Sequence, residues 1–375
     1  MRVAVVGAGI VGVTTAYELA ALGLEVTVFE RRNSVAAEAS FADAGVLSAG
    51  YVAPWTAPGL RLQLLQRLLS RPAAVRLGGW NALPHLPWLW RWWRACRPQV
   101  HAGHRAALQR LAQFSCERLL ELTRLLRLDF QQMPGFLVLL RTERDLARAQ
   151  PGLALLREAG VAHDVVDAAR CRQLEPGLSP ETALAAAIHL PQDGVGNCRH
   201  FAHLLKAEAQ RLGARFCFET EVRSLAPGAR PTLATADGQV HEFDATVLCA
   251  GVQANALLAS IGLKLPLAPI HGHSVTAPVR HIDGHPPPGP RAALMDEGHR
   301  VTITRLGQRI RVAGVAEVAS APYPDESQFD PASPYFDPTS TRETPRWVLV
   351  DVRVLRKTRY VPLAELRRHA ALADM

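Results

Sequence analysis

Residues 1–30, MRVAVVGAGIVGVTTAYELAALGLEVTVFE, decide the fold. After Arg2, residues 3–6 complete an apolar, valine-rich run, as a strand buried on both faces requires. Gly7, Gly9 and Gly12 follow at G-x-G-x-x-G spacing. Gly7 permits a tight turn, Gly9 lets a diphosphate approach the backbone, and Gly12 lets the next helix pack close to the strand. The pattern predicts a helix from about Ile10 to Leu22, with its first amides facing the phosphates and Gly23 ending it. A second strand, EVTVFE, closes on Glu30, 18 residues beyond Gly12. A carboxylate there meets ribose hydroxyls and repels a 2′-phosphate. Strand, glycines, helix, second strand and terminal acid together point to a dinucleotide; the alternative is a βαβ unit with a structural role only.

The continuation separates FAD from NAD. Nicotinamide dehydrogenases go on with regular βα units. Here EASFADAGVLSAGYVAPWTAPG follows, rich in Ala, Gly, Ser and Pro, and residues 60–127 then read as helices. A buried strand reappears in FDATVLCAG, residues 243–251, ending in Ala250 and Gly251 and suited to return beside the first glycine turn. A nucleotide unit split by an insertion favours FAD.

Around this unit the chain is that of an ordinary globular protein, with 48% hydrophobic and 20% charged residues. Its 375 residues predict two or three domains. The net charge is +8, nearly all of the basic count being arginine, since Lys206, Lys264 and Lys357 are the only lysines. No dense basic run supports nucleic-acid binding. Six dispersed cysteines, none at C-x-x-C spacing, indicate neither a zinc site nor a disulfide framework, and the pattern fits reduced thiols in the cytoplasm. The N-terminus does not read as a secretory signal, and no apolar run is long enough to cross a membrane. In LPHLPWLWRWWRACR, Trp88, Trp90, Trp92 and Trp93 alternate with arginines. Such a helix either packs on the protein body, the favoured reading, or lies at a membrane surface.

Further along, GFLVLL (135–140) reads as a strand, Thr142 to Ala159 as a helix, and the stretch through ARFCFETEV as strand, turn, helix, strand, with Asn197 as helix cap and the last strand ending near Val222. Residues 266–318 read as strands of an inserted sheet, with Leu306-Gly307-Gln308 as a hairpin turn. His271 and His273, two apart, are expected on one side of a strand, and no third metal ligand accompanies them.

VAVVGAGIVGVTTAYEL, EASFADAGVLSAGYVAPWTAPG, GFLVLLRTERDL, LPQDGVGNCRHF and VTITRLGQRIRVAGVAEV together resemble the small subunit of bacterial D-amino acid dehydrogenase, within the FAD-dependent D-amino acid and glycine oxidase superfamily. The likeness runs from Met1 to about Val318. It implies an α/β fold: a Rossmann-like FAD-binding unit (1–60 and 185–260) with a helical region and an antiparallel substrate sheet inserted (61–184 and 261–318). The cofactor contacts expected are Gly7, Ala8, Gly9, Ile10, Val11, Gly12, Glu30, Arg31, Ser40, Gly45, Val222, Ala250 and Gly251. The implied reaction removes hydride from the α-carbon of a D-amino acid and passes electrons to a quinone or similar acceptor. The resembled family carries its substrate arginine in G-x-R-P-x-x-P-D-G and a flavin turn in G-H-G-x-x-G. Neither motif occurs here, so activity is expected to be impaired. Tyr51, His271, His273 and Arg305 stand as candidate substrate contacts. Asp43 occupies a position where that family usually has Asn, and His273 one where it usually has Tyr.

From about Ala313 the chain resembles part of an EVE domain, a PUA-like module that binds modified nucleobases. AGVAEVASAPYPDESQFDPASPYFDP, PRWVLVDVRVLRK and PLAELRRHAALADM carry this likeness. It implies a β-rich fragment over 319–375 joined to the first unit near residues 313–319, with base stacking by Trp347 or Tyr335 less favoured than packing.

Overall fold

The computed structural model describes residues 1–52, 75–77, 86–279 and 289–318. The expected EVE-like fragment, 319–375, lies outside the described residues.

Arg2–Val6 is the spine of a four-stranded sheet. Glu25–Phe29 pairs with it on one side and Ala245–Leu248 on the other, and Arg215–Cys217 adds to Glu25–Phe29. All three pairings are parallel, which requires both faces to be covered. Val5, Val26 and Val28 face the helices Ile10–Ala21 and Cys198–Arg211, where Val13, Ala16, Tyr17, Phe201, Ala202 and Leu205 close the core. Ala4, Val6 and Phe29 face the other way, onto Val222, Leu233 and Phe243. These last belong to or flank a three-stranded antiparallel meander, Val222–Ala226, Thr232–Thr235 and Val240–Glu242.

ARFCFETEV is therefore two strands. After Cys217 the chain bends to donate from Glu219 N to Arg32 O (3.0 Å) and from Thr220 N to Glu30 O (2.9 Å). Glu219 takes a left-handed φ of 53° there, and Val222 restarts in the meander. The return strand 243–251 is realised as Ala245–Leu248.

The second sheet has nine strands. Its main path is Ile270–Pro278, Arg309–Val318, Val301–Leu306, Ala293–Asp296, Met133–Leu140, Ala186–Val195 and Val46–Leu47. Val75–Leu77 joins Arg309–Val318, and Asp164–Val166 joins Ala186–Val195. The pairings of Met133–Leu140 with Ala293–Asp296 and of Arg309–Val318 with Val75–Leu77 are parallel, so the sheet is mixed rather than wholly antiparallel. Val75–Leu77 also breaks the expectation that 60–127 is all helix. Val46–Leu47 and Ala186–Val195, expected on the nucleotide side, pair here instead. Ala186, Ile188 and Leu190 fill one core while Ala187 fills another, so Ala186–Val195 needs cover on both faces and finds it in the broad sheet.

One face of this sheet packs on the helix Glu143–Glu158, whose Leu153 and Leu156 join Phe136, Val138, Leu140 and Leu306. Thr142 caps that helix in a reciprocal capping box with Asp145. The opposite face, with Leu137, Leu139, Leu294, Val301, Ile303 and Ile310, packs on Cys171 and Leu178. Pro98–Leu126 runs alongside the nucleotide unit, burying Leu122 and pairing Arg118 with Glu18 at 2.8 Å. The tryptophan helix is Leu86–Ala95. None of its residues is buried, and Trp90 is 62% exposed.

Candidate functional site

At the glycine turn the backbone itself makes the site. Gly7 has φ 101°, and a methyl there would sit 2.6 Å from the Cys249 carbonyl oxygen, because the return strand closes beside it through Cys249 N to Val6 O (2.8 Å). A methyl on Gly12 would lie 1.9 Å from the Gly7 carbonyl oxygen. At Gly9 a methyl would meet only the Ser40 hydroxyl, at 3.6 Å, which leaves a cradle one carbon deep over the turn.

The amides of Ala8, before the helix, and of Ile10, at its start, are taken by acceptors outside it. Ala8 N donates to Glu30 Oε2 at 2.7 Å, and Ile10 N donates to Ser40 Oγ at 3.1 Å. Glu30 Oε1 accepts from Arg32 N at 2.9 Å. A helix start, a glycine cradle and a carboxylate at the end of the second strand fit the diphosphate and ribose of FAD. Val11 is exposed at the helix start, Ala250 lies beside Gly7, and Gly251 is exposed just beyond it. Arg31 is drawn into an ion pair with Glu38. The Val222 side chain is buried with Val6 and Phe29, because strand alternation in the meander turns it into the core, which leaves its backbone as the part that can meet a cofactor.

From Ser40 the chain crosses to the broad sheet. Ala42 O accepts from Ser274 Oγ, Asp43 O from Arg311 Nη1 and Ala44 O from Thr304 Oγ1, each at 3.0 Å. Gly45 O accepts from Gly196 N at 2.9 Å. Beyond Val46–Leu47, the buried Asp193 carboxylate gathers the Ser48 hydroxyl and the Ala49 and Gly50 amides, both at 3.1 Å. The Arg311 guanidinium is 7% exposed; its Nε donates to Thr276 Oγ1 at 3.0 Å, and Nη1 stands 3.7 Å from the Asp43 carboxylate. Burial lifts the Asp43 carboxyl above its ordinary range against the pull of Arg311 and nearby amides. Burial, reinforced by Asp43, also pushes the Cys198 thiol up to about 12, so Cys198 is a neutral neighbour here.

The four substrate candidates do not form one constellation. Tyr51 stacks edge-on against Phe136 at 5.8 Å and donates to Glu297 Oε1. Burial and then Glu297 raise its phenol above the usual range, keeping the proton on. Arg305 pairs with Ile310 and shares the face of Val301 and Ile303; its Nε donates to the Gly307 carbonyl at 3.1 Å. His271 pairs with Glu317 and has the strand parity opposite to Ser274 and Thr276. His273 pairs with Gly314 across a register shift, and its side chain lies outside the described residues. A buried cation on the face of the crossing segment is Arg311, which sequence reading passed over. Its signal was a charge between Ile310 and Val312 inside a strand expected to be buried.

A twisted parallel sheet with this glycine turn, joined by a crossing segment to a large mixed sheet, defines a flavin-type oxidoreductase. The chain belongs to the FAD dependent oxidoreductase family, whose model matches residues 2–350 and so runs past the junction expected near 313–319. It is 37% identical over 322 residues to a D-amino acid dehydrogenase of Cereibacter sphaeroides, covering 85% of this chain and 73% of that protein. It is 35% identical over 326 residues to one of Bradyrhizobium diazoefficiens, covering 85% and 76%. Among solved structures, glycine oxidase from Geobacillus kaustophilus shares the fold, with a TM-score of 0.62 at 22% identity over 84% of this chain and 72% of that one. L-α-glycerophosphate oxidase from Mycoplasma pneumoniae, solved with FAD bound, has a TM-score of 0.54 at 18% identity over 84% and 71%. This chain is thus an FAD-dependent, D-amino acid dehydrogenase-like oxidoreductase.

Proposed function

We propose that the protein oxidises D-amino acids such as D-alanine to 2-oxo acids and ammonia. The observation that carries this is the glycine turn closed by Cys249, with Glu30 and Ser40 set at its amides, in a chain similar to D-amino acid dehydrogenases over 85% of its length. When bound, FAD supplies the hydride acceptor. Gly7, Ala8, Gly9, Ile10, Val11 and Gly12 would line its diphosphate, Glu30 would hold the ribose, and Ser40, Gly45, Ala250 and Gly251 would border it. Arg31 is kept beside Glu30 by Glu38. The substrate loses a hydride from Cα and a proton from its amino group, and water hydrolyses the resulting imine to the oxo acid and ammonia. Arg311 is the enclosed cation nearest the crossing segment; Tyr51, locked to Glu297, contributes shape and a hydroxyl that stays protonated.

The electron acceptor is proposed to be a quinone or a similar carrier, reached by peripheral contact with a membrane from the cytoplasmic side. Trp90, exposed on a helix with Arg91 and Arg94 beside it, supports that contact. No helix among the described residues is long and apolar enough to cross a membrane. The division proposed is an FAD-binding unit built on the parallel sheet and a substrate unit built on the nine-stranded sheet. The EVE-like reading of 313–375 rests on its resemblance alone, and binding of a modified-cytosine duplex tests it. The experiment for the main reading is anaerobic addition of D-alanine to the flavin-loaded chain. Bleaching of the flavin band supports it, whereas bound flavin that stays oxidised contradicts it.

A further inference from the structure

Thr304 is fully enclosed and Arg311 nearly so, yet both stand on the face of a sheet whose neighbouring positions are apolar. In register, Phe136, Ala293, Thr304, Arg311 and Thr276 form one row across five strands. Polar groups buried on such a face are costly unless hydrogen-bonded. What satisfies them is the main chain of the crossing segment. Ser274, Arg311 and Thr304, from three adjacent strands, take the carbonyls of Ala42, Asp43 and Ala44 in sequence order. The segment held this way begins two residues after Ser40, whose hydroxyl receives the Ile10 amide at the glycine turn. It ends in Val46–Leu47, paired to Gly194 and Val195.

We propose that Arg311 is a positioning residue for the flavin: with Ser274 and Thr304 it clamps residues 42–44 to the broad sheet, and so sets where Ser40 and the Asp43 carboxylate stand relative to the bound cofactor. Arg311 acts through the backbone of Asp43, whose carboxylate opposes the like charge of the neighbouring Arg309. The proposal rests on the reading that FAD is held at the glycine turn.

The test uses Arg311→Ala, Arg311→Lys and Thr304→Val in the full chain, reading FAD affinity by fluorescence and the midpoint potential of the bound flavin. Loss of the charged hydrogen bond in Arg311→Ala is expected to weaken FAD binding about tenfold and to shift the potential. Arg311→Lys restores part of both, and Thr304→Val moves both in the same direction by a smaller factor. A folded Arg311→Ala protein with affinity and potential unchanged overturns the proposal. If that variant does not fold, Thr304→Val decides it, and unchanged values there overturn it. If the parent takes up no FAD, the functional reading fails separately, and hydrogen exchange of residues 41–47 decides the clamp. Faster exchange in the variants supports the clamp, and unchanged exchange overturns it.

Discussion

Gly12 and Thr304 are both enclosed, but for opposite reasons. Gly12 is enclosed because nothing else fits: the Gly7 carbonyl occupies the space of its missing side chain. Thr304 is enclosed because its side chain is wanted, as donor to a carbonyl 260 residues earlier in the chain. The nucleotide end of the molecule makes its site by omitting side chains at a closely packed turn. The broad sheet makes its part by placing polar side chains on an otherwise apolar face. The first device is set by glycines close together in sequence, and at Gly7 and Gly12 it tolerates nothing added. The second depends on strand register, and each of its members is replaceable at a finite cost.

The largest effect is expected where the comparison is broken at its omitted side. Gly12→Ala pushes a methyl into the Gly7 carbonyl, and since backbone rather than a side chain must yield, the cost exceeds the ~3 kcal/mol upper end of ordinary overpacking. Urea denaturation and FAD titration should both show a severe loss.

A substitution on the added side comes next. Asp296 is 1% exposed and accepts from Arg141 Nε at 2.8 Å and Nη2 at 2.6 Å, as well as from His299 N at 3.1 Å. Burial would raise its carboxyl, but the hydrogen bonds from Arg141 and its charge prevail, and the group titrates below the ordinary range. A carboxyl depressed in the folded state stabilises above its unfolded value, and that contribution fades as pH falls through the folded one. Asp296→Asn should therefore cost about 3 kcal/mol at neutral pH. The gap from the parent should narrow below about pH 4, as read from denaturation midpoints across a pH series.

The smallest effect sharpens the comparison of faces. Arg305 stands on the face away from the crossing segment, with a single side-chain hydrogen bond to the Gly307 carbonyl among the described residues. Arg305→Ala should cost about 1 kcal/mol of stability and leave FAD affinity unaltered by titration.

The same contrast explains what could be read from sequence. The return strand was legible from its own apolar run before Gly251, and the glycine turn and the Asn197 cap were legible, since each depends on residues within a turn or two of one another. The hairpin at Gly307 was legible for the same reason. The faces of the broad sheet were not. Whether Arg305 or Arg311 meets the crossing segment depends on strand parity and on partners far along the chain, and a one-residue change of register exchanges the two faces. Val222 was misplaced for a related reason: the break at Glu219, which moves it to another sheet, answers to bonds with Glu30 and Arg32 rather than to its own neighbours.

The most direct measurement is a titration of the purified, flavin-free chain with FAD, repeated in the presence of ADP. One FAD per chain should bind and turn the protein yellow, and ADP should compete, because the glycine turn holds the nucleotide half. A chain that stays colourless in excess FAD, or binds flavin with no competition from ADP, contradicts the account.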